Sequence, residues 1–394
     1  MKILICHNFY KTTSGEDLVI ANDIEILKQR GIDVIEYTRS NTETDRFTFY
    51  QRIRFFPDVL YSRRTIKDIK SLVKKERPDV ALVQNVFPLI SPSLYHILYR
   101  LNIPIVQLVY NYRFVCASGN LFTKGKICER CVRGSFINAI LYKCYKQSRV
   151  LSALYSGTIS LHRHFGKLGK IISAYVTPDL FLQTKLEEGG YPIKKMFSIM
   201  NPFDVDKYAP CYSHKNYFVY FGRIVREKGI FTLINAMKRL PNNKLVIVGG
   251  GESAEEAQAL AAREGLSNIQ FIGPTYGDKL VSILNGALAV VVPTLWYDNS
   301  PLVVHQSFAL GKPVIASNIN GIPEIVRHNE NGLLCEPGND RELAEKMMLL
   351  ACDEQFRRKL GHEARRMAEE LFTTQRRFEE LIKVINFAVK RAVL

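Results

Sequence analysis

Two stretches in the second half of the chain hold residues whose types and spacing could do chemistry. FGRIVREKG (221–229) follows the apolar run NYFVYF and opens a helix. It sets Gly222-Arg223 at a strand end and Lys228-Gly229 at the helix start. Two cations beside a helix N-terminus make a clamp for a diphosphate, because free backbone N–H groups and fixed positive charge favour the same oxyanion. A pair of solvated surface cations is the plainer reading in a chain with 54 Lys and Arg against 38 Asp and Glu. The second stretch, ALAVVVPTLWYDNSPLVVHQSFALGKPVIAS (287–317), reads as buried strand, polar loop, helix, glycine stop and buried strand. Asn299 and Ser300 are helix-start residues, and Pro301 suits a first helical position. A helix start at the carboxyl end of a parallel strand is where open α/β sheets bind ligands, and its N–H groups suit oxygen-rich or anionic ones. As a bare pattern, this could be any βαβ unit.

A third cluster is Cys116, Cys128, Cys131 and Cys144, spaced C-x11-C-x2-C-x12-C. One C-x2-C knuckle with two outlying cysteines can make a tetrahedral structural zinc site, and reduced free thiols are the alternative. GNLFTKGK (119–126), between the first two cysteines, reads as a polar hairpin turn.

The elements around these residues alternate. KILICHN, IDVIEYT, DVALVQN, PIVQLVY, IISAYVT and KMFSIMN are strand candidates in the first half, with LVIANDIEILKQRG an amphipathic helix ended by Gly31. YFVYF, KLVIVGG, IQFIG, ALAVVVP and KPVIAS follow in the second half, separated by helices near 228–239, 253–264 and 276–285. Helices near 340–350, 353–371 and 375–392 close the chain. Such alternation predicts doubly wound parallel sheets. With 394 residues, two domains of about 200 residues each are expected. NPFDVDKYAPCYSHKN (201–216) is polar and without period, so it reads as the linker. The predicted boundaries are 1–200 and 201–374, with the helix at about 375–394 returning to the first domain.

The charge is uneven. Residues 1–200 hold 30 Lys and Arg against 16 Asp and Glu, a net of +14, and the remainder nets +2 of the total +16. Much of the excess falls in 46–77, where Arg46, Arg52, Arg54, Arg63, Arg64, Lys67, Lys70, Lys74, Lys75 and Arg77 interleave with Phe47, Phe49, Tyr50, Ile53, Phe55, Phe56, Leu60 and Tyr61. An anionic membrane surface, an anionic acceptor or a merely soluble surface would fit this pattern. No zinc-finger, RNA-recognition or helix-turn-helix pattern is visible, so nucleic acid is not an expected partner. No run of 18 apolar residues is present, so no transmembrane helix is expected. MKILICHNF reads as a first strand and not as a secretory signal, which points to a cytoplasmic protein with reduced or metal-bound cysteines.

The Gly222-Arg223, Lys228-Gly229 pattern, the 287–317 unit and NPFDVDKY (201–208) together resemble the family-4 retaining glycosyltransferases, glycosyl transferases group 1. The resemblance covers nearly the whole chain. It implies the GT-B fold: two Rossmann-like, doubly wound α/β domains facing a cleft. It implies a nucleotide-diphosphate-sugar donor, a glycan acceptor that can be lipid-linked, and chemistry that needs no metal or other cofactor. The catalytic residues would be Arg223, Lys228 and Asp298, with Gly15, Asn111, Gly222, Asn299, Ser300, Pro301, Leu302 and Gln306 binding substrates. Asp298 and the N–H groups near Asn299 and Ser300 would hold the sugar.

The chain departs from the family's pattern in four places. Asp298 and Gln306 stand where a pair of glutamates is usual. Gln84-Asn85 and Tyr110-Asn111 replace His-containing pairs, so Tyr110 occupies the place of a sugar-contacting histidine. Gly15, in TSGEDL (13–18), matches a glycine near the diphosphate and acceptor, and a plain strand-to-helix turn serves as well. His162 and His164 read as surface residues of a helix. The expected protein is a cytoplasmic, membrane-peripheral glycosyltransferase of surface polysaccharide or glycan synthesis. The alternatives are a non-catalytic relative that binds nucleotide sugar or glycan, and another enzyme of this fold such as a sugar-nucleotide epimerase.

Overall fold

In this computed structural model the described residues are 1–164 and 166–392, apart from the side chains of 51–54, 164 and 392. Arg52, Ile53, Arg54 and His164, singled out from the sequence, therefore have side chains outside the described residues. The chain forms two compact units. One comprises Met1–Thr123, Cys128–Met200 and the chain from Gln375 onward, and the other Lys124–Ile127 and Asn201–Thr374.

The strands are β1 (Lys2–Phe9), β2 (Asp33–Ser40), β3 (Val80–Val83), β4 (Ile105–Leu108), β5 (Phe122–Thr123), β6 (Lys126–Ile127), β7 (Ala174–Thr177), β8 (Met196–Ser198), β9 (Tyr217–Phe221), β10 (Lys244–Val248), β11 (Ile269–Gly273), β12 (Ala287–Val292), β13 (Val314–Ser317) and β14 (Gly332–Cys335). The first unit holds one six-stranded sheet in the order β2-β1-β3-β4-β7-β8. Its paired strands run parallel. VALV of β3 and IVQL of β4 are buried throughout, as strands covered on both faces must be. The helix Gly15–Gln29 starts from a capping box, in which Ser14 caps the Asp17 N–H and the Asp17 carboxylate accepts from the Ser14 N–H. Gly15 is therefore the first helical residue after the β1 loop.

The last helix, Thr374–Ala392, buries Leu381, Val384, Ile385 and Ala388. Phe387 meets Phe197 with ring centroids 5.0 Å apart, within the first unit. Arg377 donates to both Asp23 carboxylate oxygens at 2.7 and 2.8 Å, and to the Tyr110 hydroxyl at 2.7 Å, with all three side chains buried. A buried cation is tolerated only when paired and hydrogen-bonded in this way.

The second unit repeats the plan in the order β11-β10-β9-β12-β13-β14, again with parallel pairs. Its core runs through Phe218, Ile234, Leu245, Ile247, Val291, Ile315 and Leu333 under the helix that begins at Ile230 and the helix that begins at Asp340. The strands leave β9 for β10 and β11 on one side and for β12, β13 and β14 on the other. The order thus reverses between β9 and β12, and the carboxyl ends of those two strands open the crevice where such sheets bind ligands.

Candidate active site

The crevice at that reversal is built from the two motifs. After β9 the chain passes Gly222 (φ 137°) and Arg223, makes the short turn Arg226–Lys228, and enters the helix Ile230–Met237 at Gly229 (φ 72°). A Cβ at Gly229 would lie 1.8 Å from the Pro293 carbonyl oxygen, so only glycine lets this turn lie against the end of β12. The Leu295 N–H and the Thr294 hydroxyl both donate to the Glu227 carbonyl, at 2.8 and 3.2 Å. These bonds fix the loop after β12 against the turn after β9.

Lys228 and Asp298 form an ion pair through Nζ and Oδ2, with their side chains 19% and 13% exposed. Lys228 also sits 5.8 Å from the centroid of the Trp296 ring. Arg223 is exposed and makes no ion pair among the described residues. The Tyr220 hydroxyl donates to its carbonyl at 2.5 Å, which orders the backbone at the strand end. One cation is therefore held by a carboxylate, and the other points to solvent at the mouth of the crevice.

The loop 294–301 is held from several sides. Asn320 Nδ2 donates to the Asp298 carbonyl at 2.7 Å, and Asn201 Nδ2 to the Ser300 carbonyl at 3.1 Å. Ser300 is buried at φ 39°, a conformation that costs a non-glycine residue energy and persists only where neighbours impose it. Below it His305 is buried, and its Nδ1 lies 3.2 Å from the Pro301 carbonyl. A carbonyl can only accept, so that nitrogen carries the proton, and Nε2 faces the Ser300 hydroxyl at 3.5 Å. Burial pushes the His305 pKa down to about 4. Pro301 takes the N-cap position of the helix Leu302–Ala309, one place earlier than the spacing predicts. Gln306 is half-buried on that helix. Trp296 Nε1, Asn201 Oδ1 and Asn320 Oδ1 are buried around this loop without a hydrogen-bond partner among the described residues.

Sequence reasoning passed over Asn320 and the glycine run 249–251. A Cβ at Gly249 would lie 1.9 Å from the Gly222 carbonyl oxygen, and one at Gly251 2.4 Å from that of Ile224. The turn after β10 thus lies directly on the Gly222–Ile224 backbone. Three successive glycines after a buried strand were the available signal. Asn201 sits in the stretch read as a linker, yet its side chain belongs to the loop of this site.

In the first unit the order reverses between β1 and β3; Gly15 follows β1, while Tyr110 and Asn111 follow β4, the next strand over. Asn111 Nδ2 donates to the Glu16 carboxylate at 2.8 Å, beside Gly15 at the start of its helix. Tyr110, in the place of a sugar-contacting histidine, instead accepts the Arg377 hydrogen bond in the buried Asp23 network. His162 is a correction: it is buried, not on the surface. Its Nε2 donates to the Leu60 carbonyl at 2.9 Å, leaving Nδ1 to accept from His96 Nε2, also at 2.9 Å.

A structural zinc is expected at Cys116, Cys128, Cys131 and Cys144, and all four lie in the first unit. Among the described residues no three His, Cys, Asp or Glu side chains are placed to hold a metal ion. Burial pushes the Cys131 thiol up to about 12, with smaller contributions from the nearby thiols of Cys116, Cys144 and Cys128. Cys131 turns into an apolar cluster with Phe136, Ala139, Tyr155 and Ile159, while Cys116 Sγ meets Ser118 Oγ at 3.2 Å. All four are free cysteines.

Comparison with known proteins agrees with this geometry. Residues 207–367 match the family described as glycosyl transferases group 1. A Methanocaldococcus jannaschii glycosyltransferase is 29% identical over 176 residues, covering 44% of this chain and 45% of that one. The capsular polysaccharide biosynthesis glycosyltransferase CapM of Staphylococcus aureus is 32% identical over 180 residues, 44% of this chain and 46% of that one. Both matches thus span under half the length of these curated relatives. Among solved structures, Anabaena HepE in complex with UDP superposes with a TM-score of 0.69 at 16% identity, covering 98% of this chain and 100% of that one. The fold is that of the GT-B glycosyltransferases, with two Rossmann-like parallel-sheet units. The family match and these relatives support a glycosyltransferase.

Proposed function

We propose that the chain is a retaining glycosyltransferase that moves a sugar from a nucleotide-diphosphate donor to a glycan acceptor in polysaccharide or glycan synthesis. The observation that carries this reading is the pairing of Lys228 with Asp298 at the β9–β12 reversal, with Arg223 exposed beside it. As the bond to the sugar breaks, negative charge grows on the leaving diphosphate. Cations and N–H groups already in place stabilise that charge more than they stabilise the bound substrate. Arg223 and Lys228 supply the cations in this reading. Asp298, with the N–H groups near Asn299 and Ser300, holds the sugar. Leu302 and Pro301 open the helix over the phosphates, and Gln306 accepts from the ribose hydroxyls. The UDP complex of the structurally similar HepE supports a nucleotide donor. In this reading the leaving phosphate takes the acceptor proton, and no metal takes part.

In this reading the acceptor, a lipid-linked glycan, would meet the first unit near Gly15 and Asn111. No helix among the described residues is long and apolar enough to cross a membrane. A cytoplasmic enzyme docked on an anionic membrane face accords with the exposed cations Arg63, Arg64, Lys67 and Lys70 and the exposed Phe49, Tyr50 and Phe56. A non-catalytic relative that binds nucleotide sugar is the second reading, favoured by the capture of Tyr110 in the Arg377 network. A donor-hydrolysis screen over common nucleotide sugars, with released nucleotide as the readout, separates the two. Turnover of one donor supports the enzyme, and nucleotide binding without release from any donor supports the second reading.

A further inference from the structure

The charges at the crevice after β9 and β12 come from few residues. Arg223 is exposed there, and Lys228 is paired with Asp298. Arg226, between them in the turn, is exposed and paired with Glu256. Burial first, and then Asp298 and Glu227, hold the pKa of the Tyr220 hydroxyl above its ordinary value, while Arg223 acts the other way. Asp298, Glu227 and Arg223 thus lie near one buried phenol. The loops after β12, β13 and β14 add no cation. Residues 293–301, 318–321 and 336–339 contain no Lys, Arg or His, but they include Asp298 and Glu336.

The unpaired polar atoms point the same way. Asn201 and Asn320 use their side-chain N–H groups on the Ser300 and Asp298 carbonyls, and their Oδ1 atoms are buried without a partner among the described residues. Such an oxygen can only accept, and leaving it unpaired is costly. A ligand hydroxyl would satisfy it, and a ligand carboxylate would repel it. Trp296 Nε1, also unpaired among the described residues, is a donor without charge. The loop 294–301 therefore offers one carboxylate and neutral groups, while the cations come from the turn after β9.

We propose that the sugar on the donor is uncharged, and that Asp298 is the residue that excludes acidic sugars such as uronates. The inference rests on the glycosyl-transfer reading above. A diphosphate carries two negative charges and claims Arg223 and Lys228, which leaves Asp298 beside the sugar with its counter-charge shared. A hydroxyl on that sugar would donate to Asp298. A carboxylate in the same place would meet a like charge and find no cation on the loops after β12, β13 and β14. The test is titration calorimetry of the full chain, first with UDP and GDP to find the base. The matched sugars of that base follow: UDP-glucose against UDP-glucuronate, or GDP-mannose against GDP-mannuronate. Within each pair only C6 changes, from a hydroxymethyl group to a carboxylate. The neutral sugar is expected to bind at least tenfold more tightly than the acidic one. Asp298→Asn keeps the shape and removes the charge, and is expected to shrink that ratio at least threefold, whatever it does to either affinity alone. If this variant fails to fold, the wild-type ratio decides. An acidic sugar bound as tightly as the neutral one, or an unchanged ratio in the folded variant, overturns the proposal. Absence of binding by either nucleoside diphosphate sinks the donor reading and this inference with it. Nucleotide binding with equal affinity for the two sugars sinks this inference alone.

Discussion

Lys228 and Asp298 stand 70 positions apart and meet as an ion pair at the point where the second sheet reverses its strand order. One comes from the turn after β9 and the other from the loop after β12. The Glu227 carbonyl, which accepts from Thr294 and Leu295, holds the two segments in register. Within the pair each side chain cancels the other's charge; in the proposed function the cation serves a diphosphate and the carboxylate a sugar.

Removing either cation should slow turnover sharply. Arg223→Ala and Lys228→Ala are each expected to cost ~3 kcal/mol of transition-state stabilisation, on the order of a hundredfold in rate. Lys228→Ala also leaves Asp298 without its counter-charge, so its donor affinity should change more than that of Arg223→Ala. Steady-state kinetics on the donor found by the hydrolysis screen checks both. Wild-type rates in the two variants would remove the clamp from the mechanism.

Gln306→Glu is expected to tighten nucleotide binding by ~1 kcal/mol, roughly fivefold, because a carboxylate makes a stronger, charge-assisted contact with ribose hydroxyls. Gln306 is half-buried beside the loop, so the new charge keeps contact with solvent. Calorimetry with the nucleoside diphosphate reads the change. Weaker binding would mean that the position faces something other than ribose.

The architecture was legible because its strands are buried on both faces and so read as unbroken apolar runs, such as ALAVVV and VIAS, ended by glycine or proline. The two loops that meet were legible for the same reason: Gly222 follows such a run directly, and Lys228 and Asp298 lie in the loops just beyond β9 and β12. What stayed hidden depends on partners far along the chain. Tyr110 is taken by Arg377, 267 positions away, and nothing near Tyr110 announces it. The thiol spacing of Cys116, Cys128, Cys131 and Cys144 suits zinc, but spacing does not announce that Cys131 packs among Phe136, Ala139, Tyr155 and Ile159. His162 looked like a surface residue because the helix pattern does not reveal that Leu60 and His96 close over it.

The Asp23–Arg377–Tyr110 network should be worth most when one member is lost. Arg377→Met is expected to destabilise the first unit by ~3–5 kcal/mol, since it strands a buried carboxylate. Tyr110→Phe leaves Asp23 paired and strands a guanidinium N–H of Arg377, so it should cost ~1–3 kcal/mol. Urea unfolding followed by circular dichroism gives both. If Tyr110→Phe were to leave stability intact and raise the KM for the donor, Tyr110 would be a sugar contact after all.

His305 should make the second unit acid-sensitive. Burial holds its pKa at about 4, below the ordinary 6.5, so the folded chain keeps it neutral while the unfolded chain takes up a proton. Its contribution is complete above about pH 6.5 and is lost as pH falls toward 4, a loss of order 3 kcal/mol over that window. His305→Gln is expected to melt lower at pH 7 but to lose less between pH 7 and 5 than the wild type does. Parallel slopes for the two proteins would show that other groups carry the acid sensitivity.

The basic face of the first unit should bring the protein to anionic membranes. On the helix Arg63–Glu76, Thr65 and Ile69 are buried while Arg63, Arg64, Lys67 and Lys70 are exposed, so the cations can be changed without touching the core. Phe49 and Tyr50, 81% and 66% exposed on the preceding helix, are apolar groups able to enter a headgroup layer. Each Lys or Arg close to such a surface contributes ~1 kcal/mol, and salt weakens the attraction. Flotation with liposomes should recover more protein as the anionic lipid fraction rises and less as salt is added. Replacing Arg63, Arg64, Lys67 and Lys70 together by Glu should abolish most of that recovery and leave donor hydrolysis, proposed for the motifs of the second unit, at its wild-type rate. Equal recovery on neutral and anionic liposomes, or no effect of the four changes, would return this face to acceptor binding or to solubility.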